Sequence, residues 1–236
     1  MNASLKHLTE SIYALSGDMR RVRPWLGVVV TTHGTVLIDS GNGPIQIAML
    51  QEALAAIEAP PVTHILLTHH HWDHVFGSGY LPGATVIAHE GTQFHLNVMA
   101  GEPWSADYNM TKAGASKGAQ MNATLMNAAV PDWMEFKAIP AHQTFQDKVE
   151  IQIGDYHFEI MHFGGLHEKD SCIVRVTPSN VLFVGDIPYG SVRGDHKPED
   201  LRKELDLLVG YGADWIVEGH RRPSTGAEFA AWVQGK

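Results

Sequence analysis

The amino-acid sequence predicts an α/β protein with a duplicated, β-rich architecture. Three observations carry that reading: paired runs of β-branched apolar residues around turn residues, apolar residues at helical spacing between them, and enough apolar material for a large core. At 236 residues, with 44% hydrophobic and 18% charged, the chain can bury a substantial core, either as one large sandwich or as two small domains.

The elements follow in order along the chain. Residues 26–30 and 35–38 flank His33-Gly34 and read as a hairpin. Pro44 opens a helix in which Ile47, Leu50, Leu54 and Ile57 recur at helical spacing, and Pro60-Pro61 closes it. Residues 64–68 form an apolar run that reads as a buried strand, and residues 85–88 read as another. Residues 149–153 and 156–161 alternate around Gly154-Asp155 as a second hairpin. Residues 172–176 and 181–184 make a third pair across Pro178-Ser179-Asn180. A helix carrying Leu201, Leu205 and Leu208 starts near Pro198 and gives way to a strand at 214–217. Thr225 and Glu228 have the spacing of a capping box, which starts a final helix.

The stretch from 91 to 145 has a different character. It holds Met99, Met110, Met121, Met126 and Met134 with Trp104, Tyr108 and Trp133, while Gly101, Gly114 and Gly118 interrupt any long helix. Such side chains make adaptable apolar surface, so this segment is expected to be a helical lid or insertion within a single domain spanning 1–236.

The densest chemistry lies in Thr68-His69-His70-His71-Trp72-Asp73-His74, which contains the pattern His-x-His-x-Asp-His. In extended backbone, residues two apart project to the same side, so His69 and His71 can grip one ion while His70 points elsewhere. The chain must then turn for Asp73 and His74 to reach a neighbouring position, and Gly77 and Gly79 are expected to permit that turn. Burying these groups together is costly without a compensating cation. Imidazole and carboxylate suit zinc and similar divalent ions. His167, Asp186 and His220 complete a seven-ligand set: His69, His71 and His167 on one ion, Asp73, His74 and His220 on the other, Asp186 bridging both.

These motifs resemble those of the metallo-β-lactamase superfamily. The likeness rests on the His69–His74 motif, on His167, on Gly185-Asp186 after a strand, on Gly219-His220, and on Leu37-Ile38-Asp39-Ser40-Gly41. It runs from about residue 28 to 220 with the motifs in the family's order. It implies a four-layer αβ/βα sandwich of mostly mixed sheets with helices on the outer faces and metals at one edge. It also implies that Asp39 supports the metal site from behind the ligands, fixing a histidine tautomer. Two divalent ions, zinc in the first place with iron or manganese as alternatives, are the implied cofactors.

The expected reaction is hydrolysis of a small ester, lactone or β-lactam by attack of a metal-bound hydroxide on the carbonyl, with Asp73 orienting the water and passing a proton to the leaving group. Tyr189, three positions after Asp186, is similar to a tyrosine of the superfamily's lactonases that assists at the substrate carbonyl or leaving group. The alternatives are a thioester hydrolase of the glyoxalase II type and an iron-dependent oxidoreductase similar to persulfide dioxygenases. With 16 residues after His220, no extra C-terminal helical or nuclease domain is expected. Asp186 occupies the position that is Cys in one large group of lactamases. The step Gly164-Gly165-Leu166-His167-Glu168 departs from the usual Gly-His-Thr while keeping the His.

Other features bound the partners. A net charge of −9 argues against nucleic acid. No apolar stretch approaches the roughly 20 residues that span a bilayer, and the N-terminus lacks an apolar signal core, so a cytoplasmic small-molecule enzyme is expected. The one cysteine, Cys172, sits in a strand-like run and reads as core. His142 and His162 read as structural; Arg193, Arg221 and Arg222 are candidates to hold a substrate carboxylate.

Overall fold

The structure, a computed structural model, describes residues 4–191 and 194–236. Among these residues the strands form one seven-stranded and one six-stranded sheet. The first begins with β1 (Leu5–Thr9), β2 (Ile12–Leu15), β3 (Leu26–Thr31) and β4 (Gly34–Ile38), each antiparallel to the last. It continues in parallel through β5 (Val62–Leu66), β6 (Thr85–His89) and β7 (Gln143–Phe145). The parallel steps need crossovers. The first is α1 (Pro44–Ala56), with Pro at its start where the missing N–H costs nothing.

Between β6 and β7 run α3 (Glu90–Ala100), α4 (Ala106–Ala113) and α5 (Lys117–Ala129), preceded in the chain by the single turn α2 (Trp72–Val75). Gly101 and Gly114 end α3 and α4 as expected, but Gly118 lies inside the first turn of α5, where Ser116 caps Ala119 N–H.

The second sheet is built from β8 (Lys148–Ile153), β9 (Tyr156–His162), β10 (Cys172–Thr177), β11 (Val181–Gly185), β12 (Trp215–Glu218) and β13 (Ser224–Thr225). Only β11 and β12 pair in parallel, across the crossover α6 (Pro198–Gly210). The last helix, α7 (Gly226–Gln234), begins with the capping box in which Thr225 and Glu228 satisfy each other's backbone N–H.

Three apolar clusters stack these elements into four layers. Ile47, Leu50 and Leu54 of α1, with Leu96 and Met126, pack on Val28, Leu37, Ile65 and Val86 of the first sheet. Val29, Val36, Ile38 and Leu66 on its opposite face meet Phe158, Ile160, Val174 and Phe183 of the second sheet. Ile173, Leu182, Val184 and Ile216 then receive Leu205, Leu208, Phe229 and Val233 from α6 and α7. The strands alternate between these clusters because consecutive side chains leave opposite faces. The result is the four-layer α/β sandwich that the family resemblance implies. Cys172 is fully buried in the middle layer, and its thiol donates to the Asp170 carbonyl at 3.3 Å.

Candidate metal centre

The site is assembled at strand ends. Strand β5 stops at Leu66, and the chain passes through a bend at Thr68 to His69 and His71 before entering α2. His70 turns away as expected: its Nδ1 pairs with Asp170 Oδ1 at 2.9 Å, and its ring stacks on His95 with centroids 3.6 Å apart. The turn that redirects Asp73 and His74 is α2 itself, a correction to the expectation that Gly77 and Gly79 make it. Those glycines serve close packing instead. A Cβ on Gly77 would collide with the Ser40 carbonyl oxygen, and one on Gly79 with that of Lys137.

The distant residues arrive by topology. Because β11 and β12 are parallel neighbours, Asp186 and His220 leave the same edge of the second sheet. The parallel pair β4 and β5 delivers Asp39 and Thr68-His69 at the facing edge of the first. His167 lies on the loop from β9 to β10. Gly219 makes the closest approach: a Cβ there would overlap Asp186 Oδ1 and come within 2.9 Å of His74 Cε1.

All seven residues converge. The ligating atoms of His69, His71, His167 and Asp186 lie within 4.8 Å of one another, and so do those of Asp73, His74 and His220. Asp186 touches both groups, with Oδ2 3.6 Å from His167 Nε2 and 3.3 Å from His220 Nε2, and Oδ1 3.4 Å from His74 Nε2. Asp73 Oδ2 lies 3.1 Å from His220 Nε2.

Four histidines have one ring nitrogen anchored outside the cluster. His69 Nδ1 faces Thr68 Oγ1 at 3.1 Å, and that hydroxyl donates its own proton to Asp39. His71 Nε2 donates to Glu168 Oε1 at 3.0 Å, His74 Nδ1 to Asp39 Oδ2 at 2.7 Å, and His167 Nδ1 to the Gly190 carbonyl at 3.0 Å. Carbonyl and carboxylate oxygens only accept, so in the neutral tautomers the inner nitrogens carry lone pairs. His69 Nε2 is buried and has no hydrogen-bond partner among the described residues. His71 Nδ1 and His167 Nε2 face each other at 3.1 Å, an approach that needs a proton or a cation between them. The donor set is that of a divalent metal site, and its orphaned nitrogen and opposed lone pairs fit one.

Titration behaviour has the same origin. Burial, with the neighbouring imidazoles His74 and His71 adding to it, drives His69 well below the usual histidine range; burial lowers His167 too. Burial also opposes charge on His74 and His220, but the carboxylates outweigh it. Asp186, Asp39 and Asp73 hold His74 well above the usual range, and hydrogen bonds to Asp186 and Asp73 raise His220 to about 9. Asp186 is held well below the carboxylate range by these imidazoles despite its burial. Without a cation, the carboxylates draw protons onto the ring nitrogens.

The supporting residues divide into those read from the sequence and those not. Asp39 accepts from Thr68 N–H and Thr68 Oγ1, both at 2.8 Å, as well as from His74, from a backbone at φ 63°. Glu168 had appeared only as a departure from a pattern; its contact with His71 spans 97 positions and leaves no local trace. The structure adds protein partners for Tyr189 that its spacing from Asp186 did not reveal. Its hydroxyl accepts from His220 N–H at 2.9 Å and bonds the buried Glu218, whose acid is pushed up to about 7 by burial.

The remaining candidates lie outside the cluster. His142 Nδ1 accepts from Val86 N–H, and His162 pairs with the Lys169 carbonyl while stacking on His89. Arg221 sits 3.9 Å over the Trp232 ring and 3.7 Å from Glu218. Arg222 lies by Lys6 and Glu228. Arg193 falls outside the described residues. Among those described, no helix is long and apolar enough to cross a membrane.

Comparison with known proteins agrees with this architecture. The family described as the Metallo-beta-lactamase superfamily matches residues 20–220. No curated protein matches in sequence. Among solved structures, a metallo-beta-lactamase from Pontibacter korlensis is similar with a TM-score of 0.64 at 17% identity, covering 99% of this chain and 100% of that one. A metallo-beta-lactamase family protein from Thermus thermophilus gives 0.66 at 19% identity, covering 97% and 81%. A stereoselective inverting sec-alkylsulfatase from Pseudomonas sp. gives 0.68 at 16% identity, over 98% of this chain and 40% of that one. At these identities the likeness is one of fold.

Proposed function

We propose that this chain, which belongs to the metallo-beta-lactamase superfamily, is a dinuclear zinc hydrolase that cleaves a small ester, lactone or β-lactam. The observation that carries the reading is the division of the His69, His71, His74 and His167 imidazoles into an outer nitrogen held by a protein acceptor and an inner nitrogen facing the cluster. That arrangement presets the tautomer these four ligands need and leaves no protein partner for His69 Nε2 among the described residues.

His69, His71 and His167 would hold one cation, Asp73, His74 and His220 the second, with Asp186 shared. When bound, such a pair supplies Lewis acidity toward a carbonyl oxygen and brings the acidity of water toward neutrality. The protein's own part is positional and protonic. Asp73 Oδ2, beside His220 Nε2 at the inner edge of the cluster, is the group placed to take a proton from the attacking water and return it to the leaving atom. Asp39 and Glu168 hold His74 and His71 in orientation. Tyr189 fixes the backbone that carries His220.

The test is a side-by-side assay of a chromogenic cephalosporin, a homoserine lactone, an aryl ester and a thioester, using metal-stripped protein with zinc, iron or manganese restored. Zinc-restored turnover of an oxygen ester, lactone or lactam is the expected result. No zinc-restored turnover of the ester, lactone or lactam would overturn it, and a native iron load with thiol-dependent oxygen uptake would put an oxidoreductase in its place.

A further inference from the structure

A cavity of about 350 Å³ opens beside His71, floored by α3, α4 and α5. Its lining is mostly apolar, through Trp72, Met99, Trp104, Ala123 and Met126, with His70, Asn109, Lys112 and Asn122 as the polar groups beside His71. We propose that this cavity is the substrate's apolar subsite and takes an acyl or alkyl chain carried by the hydrolysed molecule. The assignment rests on the hydrolase reading above and names its substrate class.

Continuity is the first argument. The ring of His71 belongs both to the His69, His71, His167 and Asp186 group and to the cavity wall, so a molecule with its reacting carbon at that group has the cavity within reach. The second argument is the chemistry of the wall. The Trp72 indole N–H donates to Asn122 Oδ1 at 3.0 Å, and that of Trp104 donates to the Met99 carbonyl at 2.6 Å. With both donors engaged by the protein, the two rings offer only their carbon surfaces. Lys112, the one lysine or arginine on the wall among the described residues, is paired with Glu102 at 2.6 Å and lies over the Trp104 and Tyr108 rings. With that charge compensated, the space favours a neutral, apolar occupant.

The volume is the third argument. It falls at the lower end of the roughly 300–1,000 Å³ range of small-molecule pockets, where a predominantly apolar lining provides affinity and a few polar groups provide orientation. Small side chains keep it open. Ala113 at the end of α4, with Ala119 and Ala123 on α5, leave room that larger residues would fill, and Ala113 and Ala119 are only half buried.

The experiment titrates the zinc-loaded protein with straight-chain alkyl carboxylates from acetate to decanoate, read by tryptophan fluorescence, since Trp72 and Trp104 line the cavity. Affinity is expected to rise about threefold to fourfold per methylene, the factor for burying one CH₂, until the cavity is full. Ala119→Phe and Ala113→Phe, each checked for unchanged melting temperature, should end that rise at a shorter chain. Affinity independent of chain length, or a series unaltered by both substitutions, would overturn the subsite. A chain-length dependence that persists while zinc restores no turnover of any ester, lactone or lactam would leave the subsite standing and sink the hydrolase reading instead.

Discussion

At the scale of single residues, the site depends on what stands behind each ligand. His71 reaches inward through Nδ1 only while Glu168 holds Nε2–H, and Glu168 is itself kept acidic by that hydrogen bond. Glu168→Ala should weaken metal binding about 10–100-fold, the usual cost of losing a ligand's outer partner, measured by competition with a chromophoric chelator. Glu168→Gln keeps an accepting oxygen and should retain most of the affinity; equal loss in both variants would point to charge rather than orientation. The seven inward-facing residues and Asp39 were legible in the sequence because each sits in a short motif of ionisable groups or glycine. Glu168 and the Gly190 carbonyl were not, because their partners lie 97 and 23 positions away. Tyr189 was noticed for its spacing from Asp186, but only the fold shows its hydroxyl turned to the His220 backbone.

At the scale of elements, strand ends bring the groups together and one glycine sets how closely. Gly219 follows β12 and packs on Asp186 and His74, with no room for a methyl group. Gly219→Ala should displace the His220 loop and abolish retention of the Asp73, His74 and His220 cation. The far-ultraviolet circular dichroism spectrum should remain that of the parent, since the strand pairs are untouched. Two tightly held metals per chain in this variant would contradict the placement. The three hairpins and the helices α1, α6 and α7 were readable because alternation, helical spacing and caps agreed locally. The hairpin of β1 and β2 was not: β1 buries only Leu8, so it shows no two-residue period. The turn α2 was hidden because four residues within a metal motif show neither helical spacing nor a capping side chain.

At the scale of the whole molecule, two sheets meet face to face and the cluster joins their edges, so metal and fold stability are linked. Ions that bind only the folded chain add about 4 kcal/mol at a thousand times their dissociation constant. For a chain of this length that is a rise of roughly 10 °C in melting temperature. The metal-free protein should show the opposite dependence on pH from a simple histidine core. His220, held at about 9 against an unfolded value near 6.5, stabilises the metal-free fold below about pH 6.5, and that contribution is lost as pH rises through 9. Calorimetry of stripped protein should therefore record a falling melting temperature from pH 6.5 to 9. The gap to the zinc-loaded protein should widen over the same window, because the cation no longer competes with protons at His220. A metal-free melting temperature that rises across this window would contradict the assigned contacts of His220 with Asp186 and Asp73.

The most direct measurement is anomalous diffraction at the zinc edge from crystals of zinc-loaded protein. Two peaks are predicted, one inside the ring of His69, His71, His167 and Asp186 and one among Asp73, His74 and His220. A peak confined to His70, His71 and Glu168, which also approach one another within ligand distance, or no density between the seven residues at full zinc load, would contradict the account.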